Sequence, residues 1–416
     1  MNVFTIVFAA ALLLSLATRL WLAGRHIRHV QAHRERVPNA FAGAISPEAH
    51  RRAADYTAAK TRLMSAHAAF DAVVLLALTL GGGLQAIWSL WAGMLEGDLA
   101  TGIAFIVTVT ALMSALDVPF GLWRSFVLEA RFGFNKMTLA TFFADMAKQA
   151  AVGAALGIPL LALVLWLMER SGELWWLYAW LAWVAFNLFL LAVYPSWIAP
   201  LFNKFTPLEE GELKQRIERL LARCGFASRG LFVMDGSRRS SHGNAYFTGF
   251  GRTKRIVFFD TLITRLEGPE IEAVLAHELG HFKLRHVVKR TTLTFLMSLG
   301  FLWLLGQAMP QQWFYAGLGV TTPSTAMALQ LFMMVVPVFA FLLQPVAALI
   351  SRKHEYEADA FAARHASAGD LVTALVKLYR DNASTLTPDP LHSAFYDSHP
   401  PASLRVARLQ GVAHNS

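Results

Sequence analysis

Gly268-Pro269-Glu270-Ile271-Glu272-Ala273-Val274-Leu275-Ala276-His277-Glu278-Leu279-Gly280-His281 reads as one amphipathic helix. Pro269 and Glu270 suit its first turn, and Ile271, Val274, Leu275 and Leu279 recur at helical spacing on one face. His277 and His281 stand four residues apart, so their imidazoles leave the same side one turn apart. Both can reach a single Zn²⁺ at about 2.0–2.1 Å. Glu278, beside the first of them, is placed to take a proton from an attacking water. This is the H-E-x-x-H pattern, two metal-binding imidazoles and a general base.

Ten residues on, the chain turns apolar over 291–309 and again over 325–350, and then reads Ser351-Arg352-Lys353-His354-Glu355-Tyr356-Glu357-Ala358-Asp359. A catalytic zinc needs a third protein ligand. At 1.5 Å per helical residue, His281 lies within about 15 Å of the membrane boundary. An out-and-back hairpin returns Glu355 and Glu357 to the same mouth, so either carboxylate could complete the set. Asp359 shares a helical face with Glu355 and could orient a ligand imidazole. The single cysteine, Cys224, excludes an internal disulfide and a thiolate cluster, so any metal must use His and carboxylates.

The composition agrees with a membrane setting. The 416 residues are 55% hydrophobic and 16% charged, with mean hydropathy +0.43. Soluble domains carry about 25% charged residues. Seven segments, 2–23, 68–93, 102–123, 150–168, 174–194, 291–309 and 325–350, have the length a hydrocarbon core requires. The first lacks a cationic leader and is read as a retained anchor. The net charge of +9 gathers beside these segments, which points to the anionic leaflet and away from nucleic acid. Arg25, Arg28, Arg34, Arg36, Arg51 and Arg52 follow the first span, whereas the loop after the second holds only Glu96 and Asp98. Alternation of this kind puts the N-terminus outside and 195–290 and 351–416 in the cytoplasm. Asp71 and Asp117, inside apolar stretches, imply an interior polar pocket.

Four parts follow: a membrane region 1–194 with about five spans, a first aqueous part 195–290 that carries the H-E-x-x-H helix, the spans 291–350, and a second aqueous part 351–416. In the first aqueous part, Leu213, Ile217, Leu220 and Leu221 predict a helix from Pro207 to Gly225, with Cys224 on its buried stripe. Leu231–Asp235, Asn244–Phe250 and Arg255–Asp260 predict a small antiparallel sheet. Helices are predicted over 353–366, 369–381 and 401–412, with Pro388, Pro390, Pro400 and Pro401 breaking the last connection. His26, His29 and His33 read as headgroup contacts. Arg131–Lys136 reads as a loop packed on the sheet or a functional segment.

With these residues in hand, the chain resembles the type I CAAX prenyl endopeptidases, seven-span zinc metalloproteases that trim prenylated protein C-termini. The resemblance is carried by Arg131–Lys136, Tyr194-Pro195, Ile198–Phe205, Asn244–Phe247 with Gly249-Phe250, Lys254–Val257, Phe259–Leu262, His277–His281, Glu355 with Ala358-Asp359, and His399-Pro400-Pro401. It implies an α-helical membrane protein, seven helices around a water-filled chamber, capped by a cytoplasmic α+β metalloprotease domain. It further implies one zinc on His277, His281 and Glu355, with Glu278 as base. It places His399 beside the reacting carbonyl, and gives Asn244, Ala245 and Tyr246 to the peptide.

The expected activity is therefore zinc-dependent endoproteolysis near the C-terminus of prenylated or other membrane-associated proteins. The Asn244–Phe250 edge would pair with an extended substrate, and His399 would stabilise the oxyanion. Partners are a peptide or protein substrate and the lipid bilayer. No feature sets an oligomeric state. The Ala- and Arg-rich composition points to a bacterial inner membrane. An alternative is membrane-protein quality control without prenyl specificity. A more distant one is a metal-binding transporter, which would show inverted repeats and interrupted spans.

Overall fold

The computed structural model describes residues 2–226, 230–248 and 255–413. Seven of its helices are long and apolar enough to cross a membrane, and large apolar side chains such as Leu13, Trp197 and Leu296 are exposed on them. Exposed apolar faces of this kind account for the composition.

The chain runs α1 (Val3–Ala32), α2 (Pro47–Leu78), α3 (Gly83–Ala92), α4 (Asp98–Leu122), α5 (Leu139–Arg170) and α6 (Trp175–Val193). Asn2, Ser46 and Thr138 start α1, α2 and α5 by accepting backbone N–H groups. The second span was expected over 68–93, but α2 stops at Leu78 and α3 is a separate short helix. The reason is local: Gly82 adopts φ +78, and a Cβ on Gly81 would sit 2.6 Å from the Ala77 carbonyl oxygen. Beyond Pro119, α4 continues as a wide π-turn over Trp123–Glu129. Leu12, Leu75, Phe105, Val109, Leu165 and Leu331 bind α1, α2, α4, α5 and the seventh span into one apolar core.

The aqueous part adds β1 (Phe205–Pro207), α7 (Glu212–Arg223), β2 (Leu231–Met234), β3 (Ala245–Thr248), β4 (Arg255–Phe259), α8 (Asp260–Ile263) and α9 (Gly268–Lys283). Pro207 was expected in the first turn of a helix. It lies instead in β1, opposite Phe232, and α7 begins at Glu212. The sheet is mixed, in the order β1-β2-β4-β3, because β2 and β4 pair in parallel. The antiparallel expectation is therefore corrected. A crossover through β3, an edge strand, makes parallel pairing possible, and short-range pattern does not encode it. Gly249, Phe250 and Lys254 lie outside the described residues.

Next come α10 (His286–Ala308), α11 (Gln312–Ala316), α12 (Thr325–Ala340), α13 (Gln344–His365), α14 (Ala368–Asp381), α15 (Pro390–Tyr396) and α16 (Ala402–Ala413). The distance from His281 to the sixth span was reckoned at helical rise throughout, yet α9 ends before α10 at Arg285, whose φ is +58. Pro390, expected only to break the last connection, opens α15 as its first residue, under an Asp389 cap. Ile217, Leu220, Ile256, Phe258, Leu275, Leu279 and Ala362 form the aqueous core.

Candidate metallopeptidase site

Two helices carry the site. A Cβ on Gly280 would meet the Ala358 Cα and Phe361 Cβ at 3.0 Å each, so α9 and α13 approach as closely as backbone allows. A side chain at 280 would hold them apart. This approach brings Glu355 over the histidine face. His277 Nε2 and His281 Nε2 are 3.3 Å apart. Glu355 Oε2 lies 3.4 Å from the first and Oε1 3.2 Å from the second. The three residues form a group able to hold one ion.

The two histidines are backed differently. His277 Nδ1 lies 2.8 Å from Asp359 Oδ1, and Arg405 from α16 holds that carboxylate at 2.6 and 2.9 Å. Burial opposes charge on His277, but Asp359 and Glu355 outweigh it and raise the imidazole to about 9. His281 Nδ1 meets His286 Nδ1 at 3.0 Å. Glu357, the rival to Glu355, points elsewhere: its Oε2 is 2.9 Å from His286 Nε2. Two residues along a helix turn a side chain by about 200°, so one of the pair must leave the α9 face.

Burial pushes the Glu278 carboxyl above its ordinary value, while His277 and His281 pull it down. His399 Nε2 is 3.5 Å from Glu355 Oε2, and Ser398 Oγ lies 2.9 Å from its Nδ1. Enclosure lowers this imidazole's pKa while Glu355 pulls it up, and its face is open to the cavity. That cavity, about 1020 Å³, is lined by Arg19, Tyr56, Lys60, Arg124, Tyr379 and His399 among others.

His277, Glu278, His281, Glu355, Asp359 and His399 are thus brought together. Asn244, Ala245 and Tyr246 are not joined to them by any hydrogen bond or ion pair among the described residues. The Asn244 carbonyl accepts from Phe259 N–H at 2.9 Å, and the Tyr246 ring packs on Phe259. Arg405 escaped the sequence reading. It is 5% exposed, and a cation at a buried position of an amphipathic helix was the available signal. His26 is a further correction. It does not meet headgroups, because α15 covers that face of α1; its ring stacks on His392 at 3.9 Å. The 131–136 loop packs on the sheet side, with Lys136 N–H donating to the Arg239 carbonyl at 3.1 Å.

A His, His, Glu group able to hold an ion, on crossed helices of a chain with seven helices long and apolar enough to cross a membrane, has the make-up of a membrane metallopeptidase. Residues 26–204 match the family model for the CAAX prenyl protease N-terminal region of five membrane helices, and 207–413 match that of peptidase family M48. The CAAX prenyl protease 1 homolog of Arabidopsis thaliana is 36% identical, with 90% of each chain covered. That of Homo sapiens is 30% identical over 97% of this chain and 95% of its own. The crystal structure of S. mikatae Ste24p superposes with a TM-score of 0.92 at 30% identity, covering 98% and 99% of the two chains. The chain belongs to peptidase family M48, and it is a multi-pass membrane metallo-endopeptidase.

Proposed function

We propose that this chain is a zinc endopeptidase that cleaves near the C-terminus of prenylated CAAX-type proteins, with zinc held by His277, His281 and Glu355. The carrying observation is the spacing of the donors. Ligand atoms about 2.05 Å from a tetrahedral centre lie about 3.3 Å apart. Here the separations are 3.3, 3.4 and 3.2 Å. Glu355 Oε2 is moreover buried without a hydrogen bond, a cost that a cation removes. Zinc in such a site supplies Lewis-acid polarisation of the scissile carbonyl and acidifies water.

The chain's own residues do the remainder. Glu278 takes a proton from the attacking water and returns it to the leaving amine, and a carboxyl raised by burial is matched to both duties. Asp359 fixes His277 as the tautomer protonated on Nδ1, which leaves Nε2 free to ligate. His399 donates to the developing oxyanion. Asn244, Ala245 and Tyr246 offer the sheet edge to an extended peptide.

The N-terminus lies outside and the site faces the cytosol of a bacterial inner membrane. Supporting this, Arg25 bonds Asp389 at 2.9 and 3.0 Å, so the basic end of α1 and the second protease part share one side. Residues 1–194 and 291–350 make the membrane part, and 195–290 with 351–416 the protease domain. Quality control is the second reading, favoured by the charged chamber lining of Arg19, Lys60, Arg124 and Glu129, which accommodates unmodified peptide.

Metal analysis and product mass spectrometry on a farnesylated CAAX peptide and its unmodified twin test this. The expected result is one zinc per chain and faster cleavage of the farnesylated peptide. Equal rates would select the second reading. Glu278→Gln should retain zinc and lose about 10²–10⁴-fold in rate; unimpaired cleavage would remove Glu278 from the mechanism.

A further inference from the structure

His286 and Glu357 take part in no step above, yet both are built against the site. Along an unbroken helix five residues advance by about 500°, leaving the two side chains about 140° apart. His281 and His286 face each other only because the helix breaks between them. The break centres on Arg285, whose φ of +58 is left-handed backbone that a non-glycine residue rarely adopts. Such backbone persists where its surroundings dictate it. The result is a chain of contacts: His281 Nδ1 to His286 Nδ1 at 3.0 Å, then His286 Nε2 to Glu357 Oε2 at 2.9 Å. His286 is 1% exposed, so bulk water does not compete for its ring nitrogens. The His354 ring stacks flat on it, centroids 4.0 Å apart and planes 10° apart.

A histidine that ligates through Nε2 carries its proton on Nδ1 and must donate it. His286 Nδ1 then has to accept, which leaves the His286 proton on Nε2 to be donated to the Glu357 carboxylate. We infer that Glu357 and His286 form a two-member relay that fixes the tautomer and ring plane of His281, as Asp359 does directly for His277. Both are positioning residues, acting on metal through His281. The three side chains His286, His354 and Glu357 also lie close enough to suggest an ion of their own. Parallel rings argue against that, because imidazole lone pairs lie in the ring planes and those of two stacked rings do not converge.

This inference rests on the ligand role proposed for His281, and the experiment separates the two. The full chain in detergent is compared with His281→Ala, His286→Phe, His286→Gln and Glu357→Gln, reading Zn²⁺ affinity against a chromophoric chelator and the visible spectrum of the Co²⁺ form. His286→Phe keeps a ring on His354 but removes the acceptor, and should weaken metal binding about 10–100-fold. His286→Gln restores a carbonyl acceptor and should recover most of that loss. Glu357→Gln, at a half-exposed position, should weaken binding less and shift the Co²⁺ bands. Native affinity and spectrum in His286→Phe, alongside a large loss in His281→Ala, would overturn the relay. So would two zincs in the native chain falling to one in Glu357→Gln. Undiminished binding by His281→Ala would overturn the ligand role itself.

Discussion

Among the described residues three groups of histidine and carboxylate lie close enough to hold an ion, and, the stacked His286–His354–Glu357 group aside, two of them differ in almost everything else. One is His277, His281 and Glu355; the other is His67, Asp71 and Asp117, on α2 and α4. In the first the side chains are 8, 20 and 5% exposed. In the second they are 36, 51 and 54% exposed. The first also has a partner behind each imidazole, Asp359 and His286. Among the described residues, the His67 ring has Phe120 stacked on it and the two carboxylates beside it. Proximity of donors does not make a metal site. Burial, which makes unpaired charge costly, and supporting hydrogen bonds, which hold the rings in place, do.

The largest effect should come from removing a donor of the buried group. His277→Ala or His281→Ala is expected to lose bound zinc and to lower peptide cleavage by about 10³-fold, the equivalent of several kcal/mol of carbonyl polarisation. Elemental analysis with product mass spectrometry reads both. Retained zinc in either variant would erase the distinction between the two groups.

Next is the backing itself. Asp359→Asn keeps the shape but removes the charge shared with His277 and Arg405, and should weaken zinc binding about 10–100-fold. Chelator competition would show it. An unchanged affinity would mean that burial alone makes the difference.

A third variant probes how the group is assembled. Gly280→Ala places a Cβ 3.0 Å from the Ala358 Cα, backbone that cannot rotate away. Overpacking of this kind costs about 1–3 kcal/mol. The expected outcome is a lower thermal midpoint and roughly tenfold weaker zinc binding, since the helices part where Glu355 crosses. Normal midpoint and affinity would show that the close crossing is not needed.

These variants also mark what the sequence can convey. His277, Glu278, His281 and the seven spans are legible because each is a local pattern, helical spacing or apolar length, that survives without knowledge of the fold. The choice between Glu355 and Glu357 is not. Either residue can face α9, and the crossing at Gly280 decides. Arg405 and His286 were missed for the same reason: each meets the site through a distant helix or a backbone break. The parallel β2–β4 pairing was read as antiparallel because strand propensity carries no direction. Asp71 and Asp117 were read as a sign of an interior polar pocket, but their common partner His67 was not found.

The smallest effect, and the sharpest use of the comparison, concerns that second group. His67 lies 3.0 Å from Asp117 and 3.4 Å from Asp71, so one imidazole is shared by two carboxylates. Half-exposed pairs contribute about 0–1 kcal/mol where water reaches them, as it would in an interior polar pocket, because water screens the charges and solvates each partner when the other is removed. His67→Ala or Asp117→Asn should therefore leave zinc stoichiometry at one per chain and change its affinity by less than about twofold. A second, weaker binding event in the native chain, lost in His67→Ala, would show that exposure does not prevent this group from holding an ion. In that case the supporting hydrogen bonds around His277 and His281 would set affinity, and not whether a site exists.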